Sequence, residues 1–120
     1  MITDTRVFVY YNLHKKLWSI KALDGAMKGK VIGHSEQVLL RDPVGKVSEA
    51  GRQRVLLEKR KNVHAGIVGY WAGTQADCYG QPHEVTYNPY KYKTFVFKET
   101  GEPFISARQA VLNKRQVFVF

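Results

Sequence analysis

Five basic side chains, Arg52, Arg54, Lys59, Arg60 and Lys61, fall within residues 47–64 (VSEAGRQRVLLEKRKNVH) of a 120-residue chain of formal net charge +9. Lysine and arginine neutralise phosphates and release condensed counterions, which is the main sequence-independent source of affinity for nucleic acid. On a helix, Arg52, Lys59 and, less closely, Arg60 fall toward one side while Arg54 and Lys61 are displaced, so most of the turn is positive. The competing reading is a solvated helix face, its charge partly balanced by Glu49 and Glu58. The charge of the whole chain favours an anion-contacting surface.

A second candidate is YNPYKYK, residues 87–93, where tyrosines interleave with lysines. Read as a strand, it places Tyr90 and Tyr92 on one face. Exposed aromatics of this kind, here Tyr87, Tyr90 and Tyr92, stack bases at about 1–3 kcal/mol each, with cations such as Lys91 and Lys93 holding phosphates. Packing in a core or along a sheet edge is the alternative role for the same tyrosines.

Other chemistry finds less support. His14, His34, His64, His83 and Cys78 are potential zinc ligands, but no CxxC or HExxH spacing exists, and only Cys78 and His83 are near neighbours. No metal or other cofactor is expected. A small nuclease would need a base such as His64 beside the basic run, partnered by His14 or His34. Ser48 and Ser106 sit in no nucleophile-elbow context and no phosphate-binding glycine loop is present, so the expectation is a non-enzymatic protein.

The chain holds 19 Lys and Arg against 10 Asp and Glu, and the excess is distributed: six basic to two acidic in residues 1–34, seven to three in 41–64, six to three in 84–120. A hydrophobic fraction of 44% argues for a folded chain of about one domain's length, taken here as residues 1–120. One cysteine excludes an intramolecular disulfide, and no signal-like or membrane-spanning apolar run occurs, so a cytoplasmic protein without membrane contact is expected.

The elements that must position these groups are mostly strands. Residues 6–13 and 16–23 alternate around His14-Lys15 and predict a hairpin, with Trp18, Ile20 and Ala22 on the core face opposite Ser19 and Lys21. Short strands follow at 30–33 and 37–41, separated by His34-Ser35-Glu36. Asp42-Pro43 and Gly45 are read as ending that region, the prolines here and at Asn88-Pro89 marking punctuation or a bulge. Ser48 is an N-cap candidate for a helix, with Glu49 in its first turn. Gly51 costs that helix about 1 kcal/mol relative to alanine, and Val55, Leu56 and Leu57 fan around its axis, so a β-ribbon is the rival reading.

Residues 63–71 alternate as an internal strand whose glycines imply a bulge or close backbone approach. Residues 72–83 read as a loop. Strand chemistry resumes at Glu84, a further strand is expected from Phe104, residues 107–113 predict one or two helical turns, and 116–120 a last strand. The fold class is α+β: mainly an antiparallel twisted sheet or partly open barrel with one short helix packed on it.

The stretch GRQRVLLEKRKNVHAGIVG, preceded by VLLRD and KVSEAG, resembles segments of short basic proteins encoded by bacteriophages and prophages, a likeness covering residues 6–70. It implies a setting in which small proteins bind nucleic acid or bind and inhibit a host enzyme, including defence machinery. The expected partner is therefore DNA or RNA, bound with little sequence specificity. The alternative is a host protein met by the same basic surface in the host cytoplasm.

Overall fold

The computed structural model describes residues 5–59, 62–72 and 80–120. Within them, β1 (Arg6–Asn12), β2 (Leu17–Ala22), β3 (Val31–Ser35), β4 (Gln37–Val47), α1 (Glu49–Glu58), β5 (Ala65–Trp71), β6 (His83–Thr86), β7 (Val96–Phe97), β8 (Gln109–Asn113) and β9 (Gln116–Val119) follow in order. The strands form one open antiparallel sheet ordered β3-β2-β1-β5-β4-β8-β9-β6-β7. The α+β class holds with the helix a minor part. The sheet has two edges, β3 and β7, so of the two expected forms it is the open one.

One sheet face carries the core. The registers Val9↔Ile20, Val9↔Ile67, Leu40↔Ala110, Leu112↔Val117 and Val85↔Val117 align buried side chains across seven strands. The hairpin of β1 and β2 forms as its alternation dictates, with Trp18, Ile20 and Ala22 buried. Ser19, assigned by the same alternation to the polar face, is buried too. Its hydroxyl lies 2.9 Å from His34 Nδ1 and accepts from Asn12 Nδ2 at 3.3 Å, which offsets the cost of desolvating it.

Three sequence expectations are corrected by tertiary contacts. Asp42-Pro43 does not end a strand: β4 runs through it, with a register shift between Arg41 and Val44 and Asp42 at φ 51°. The missing N–H of Pro43 thus falls where no ladder bond is required, and the bulge reading of this proline is the correct one. Gly45, also read as a terminator, lies inside β4, where a Cβ would come within 2.9 Å of the Phe95 ring. Residues 107–113 are not helical; Gln109–Asn113 is β8, held between β4 and β9 by ladders that supply the backbone partners a helix would have found internally.

The close of the chain is also interior to the sheet. β9 pairs with β8 on one side and β6 on the other, burying Val117 and Val119. The strand expected from Phe104 is absent. Phe104 is buried against Phe97, its N–H donates to Phe95 O, and isolated bridges at Pro103 and Ser106 pin the segment across the sheet.

The central strand β5 is internal, paired with β1 and β4, and needs its glycines as its sequence predicts. A Cβ on Gly66 would approach Val9 O within 2.5 Å, and one on Gly69 would approach Arg41 O within 3.0 Å. Val63, placed on this strand by alternation, lies before its start and is 61% exposed.

Candidate functional site

β4 and β5 are antiparallel neighbours, and their connection carries α1. Ser48 caps it, its side chain accepting from Gly51 N–H at 3.2 Å, and Lys59 closes it in the left-handed region, its N–H donating to Val55 O. The helical reading is therefore the right one and the ribbon is not. Gly51 is explained by packing, since a Cβ there would sit 2.5 Å from His64 Cβ. The residue that weakens the helix is the one that lets it lie against the start of β5.

Arg52 has a different role from the phosphate contact expected of it. It is 9% exposed; Nε donates to Pro89 O and Tyr92 O, both at 3.0 Å, and Nη1 donates to Glu49 at 3.1 Å. A guanidinium committed to two backbone carbonyls and a carboxylate is a clamp, unavailable to a ligand. Gln53 Nε2 also donates to Glu49 Oε1, and this bond, with the nearby Arg52 and Lys93 charges, holds the Glu49 carboxyl below the usual carboxylate range.

The tyrosine–lysine segment is a turn, which corrects its assignment as a strand. Lys91 and Tyr92 N–H both donate to Asn88 O, and Tyr90 N–H donates to Asn88 Oδ1. The Asn-Pro pair at its head favours this closed geometry over extension. Tyr90 and Tyr92 consequently do not share a strand face. Tyr90 is 60% exposed, Tyr92 is half-buried, and Lys91 and Lys93 are exposed. Tyr87, just before the turn, has its hydroxyl 2.7 Å from His64 Nε2 and its ring 5.3 Å from Phe95.

His64 Nδ1 faces only acceptors, Asn62 Oδ1 at 2.9 Å and Asn62 O at 3.2 Å, so it carries the proton and Nε2 accepts from Tyr87 in the neutral pair. Burial raises the Tyr87 hydroxyl above its ordinary value of 10.0, against the opposing pull of Arg52. A tyrosine whose pKa is raised by folding stabilises the fold below its unfolded pKa and loses that contribution as pH rises through the folded one. Stability should therefore fall above about pH 10, and Tyr87→Phe should make that alkaline decline shallower. Denaturant midpoints of the two proteins at pH 8 and pH 11 check this; parallel declines would contradict it.

The helix, the turn and the curled core face enclose an open cleft of about 720 Å³. Val9, Trp18, Ile67, Val85, Phe95 and Val117 supply apolar lining, and Tyr11, His14, Lys59, His64, Tyr87, Tyr90 and Arg115 contribute aromatic and basic groups. The Arg115 guanidinium lies 5.2 Å over the Tyr11 ring, which itself packs edge-on against Trp18 at 5.3 Å. Trp18, Tyr11 and Arg115 were not among the expected site residues. Their signal in sequence was that of an ordinary hairpin and a turn, and only the curl of the sheet brings them to the same cleft as Lys59.

Of the expected basic residues, Arg54 and Lys59 are exposed on and beside α1, while Arg60 and Lys61 lie outside the described residues. His14 and His64 share the cleft lining, whereas His34 is tied to Ser19. His83 packs edge-on against Phe97, and Cys78 lies outside the described residues. Among the described residues no group of three or more His, Cys, Asp or Glu side chains could hold a metal ion. Nor is any helix there long and apolar enough to cross a membrane.

The chain is 45% identical over 115 residues, 90% of each chain, to the Gene 82 protein of Mycobacterium phage L5. No solved structure matches. The family model described as Mycobacterium phage L5 gene 82 protein matches residues 1–120, in keeping with the phage setting implied by the basic segment. The chain belongs to that phage protein family.

Proposed function

We propose that this protein is a non-enzymatic nucleic-acid-binding protein of low sequence specificity, acting in the host cytoplasm. The observation that carries the reading is the Arg52 clamp, which joins the basic helix to the tyrosine–lysine turn through Pro89 O and Tyr92 O. Two segments distant in sequence are thereby joined: Lys59, Pro89 and Tyr90 line the cleft, and Arg54, Lys91 and Lys93 are exposed on the same two segments. Clustered cations with an accessible aromatic ring provide phosphate neutralisation and base stacking together.

The test is binding to single-stranded DNA and RNA over a salt series. The logarithm of affinity should fall linearly with the logarithm of salt concentration, and replacing Lys91 and Lys93 by alanine should lower that slope by about one per lysine. Binding indifferent to salt, or none at low salt, would remove the reading.

A second reading is an inhibitor that binds a host defence or nucleic-acid-processing enzyme. It is favoured by the exposed apolar residues Leu57 (80%) and Val63 (61%), close in sequence to the basic cluster. Apolar anchors within a charged surface carry affinity in protein interfaces, while the charges accelerate association. A host protein retained on the immobilised chain after nuclease treatment, and released by Leu57→Asp, would favour this reading over the first.

A further inference from the structure

We propose that the cleft receives one unstacked base of a single-stranded nucleic acid, so that the ligand form selected is single strand over duplex. This rests on the nucleic-acid reading above and adds a site to it. The border residues are assigned to phosphate contacts, and that reading gives no ligand role to the cleft behind them.

The cleft volume of about 720 Å³ lies within the range of small-ligand sites. Its floor is apolar and includes the buried rings of Trp18 and Phe95, while the partly buried Tyr11 and Tyr87 and the exposed Tyr90 line it toward solvent. A base has two apolar faces and a hydrogen-bonding edge; Thr86 lies at the wall of the cleft, as do Asn12 and Asn62, whose side chains are already bonded to Ser19 and to Gly51 O and His64.

Charge complementarity points the same way. Lys59 and Arg115 come to the cleft from opposite parts of the chain, and either can hold a phosphate next to an inserted base. The Glu84 carboxylate also lines the cleft, but Lys98 Nζ lies 3.7 Å from it and reduces its repulsion of an anion. Paired bases are stacked within a duplex and must be extruded at a cost to reach such a site, whereas a single strand presents them freely.

Trp18 lines the cleft and Trp71 does not, so the Trp71→Phe protein carries one indole reporter at the site. Its emission should be quenched by a short oligothymidylate but not by an abasic strand of equal length. The unaltered protein should bind the oligothymidylate about tenfold more tightly than the abasic strand or a duplex of the same sequence length, a difference typical of one stacked base. The affinity comparison needs no substitution, so it decides the matter even if Trp71→Phe fails to fold. Equal affinity for the two single strands with unchanged Trp18 emission would overturn base insertion and leave backbone binding standing. No binding of any strand at low salt would overturn both.

Discussion

Arg52→Met lowers the free energy of unfolding by about 2–3 kcal/mol, an effect expected of a structural residue and not of a solvated phosphate contact. The side chain is buried, and its Nε–H is shared between Pro89 O and Tyr92 O. Removing it leaves both carbonyls without their charged donor. Water reaches part of the half-buried turn, so the cost stays below the roughly 3–5 kcal/mol seen when a fully buried ion pair loses one member. Glu49 is exposed enough to be rehydrated and adds little. For a chain of this length the loss corresponds to a fall in Tm of about 8–12 °C.

Arg52→Lys should recover less than half of this, because an ammonium lacks the planar geometry that meets both carbonyls. Thermal unfolding of the three proteins measures the effect, and amide exchange at Lys91 and Tyr92 reports whether the turn has detached. A Tm unchanged by Arg52→Met would mean that the clamp contributes nothing. Loss of nucleic-acid affinity together with turn protection would further tie the helix and the turn into one binding surface.

Gly66→Ala should be at least as damaging, at about 3 kcal/mol or more. Gly66 lies in β5, which is paired on both sides, and the added methyl would stand 2.5 Å from Val9 O and 2.7 Å from the end of the Phe8 ring. The ring can turn away. The carbonyl belongs to β1 and cannot move without disturbing that strand's ladders to both β2 and β5. Gly33 in β3 is the counterpart: a Cβ there meets Trp71 Cη2 at 3.7 Å, ordinary contact, so Gly33→Ala should change stability by no more than about 0.5 kcal/mol. Urea unfolding of both variants is the measurement, and similar midpoints would refute the steric account.

Local sequence chemistry was legible where one short segment contained its own reasons. The β1–β2 hairpin follows from alternation about a turn in which Asn12 Oδ1 accepts from His14 and Lys15 N–H. The helix start follows from Ser48, and the need for close approach in β5 from its glycines. Reading failed where a partner distant in the chain decided the outcome. Residues 109–113 have helix-compatible composition, but β4 and β9 offer ladders on both sides and the segment becomes a strand. Tyr90 and Tyr92 alternate in sequence as in a strand, yet Asn88 accepts from the N–H groups that follow and closes a turn.

The sequence by itself determined the class of the fold, the positive field and the phage relationship, because composition, periodicity and a matching segment are properties of the chain before it folds. Tertiary structure decided which cations remain free. Arg52 and Lys59 lie in the same short segment, but one is buried against the carbonyls of a turn some 40 residues away and the other stays exposed beside the cleft. Burial and hydrogen-bond partners depend on long-range contacts, and these also bring Trp18, Phe95 and Arg115 to the cleft.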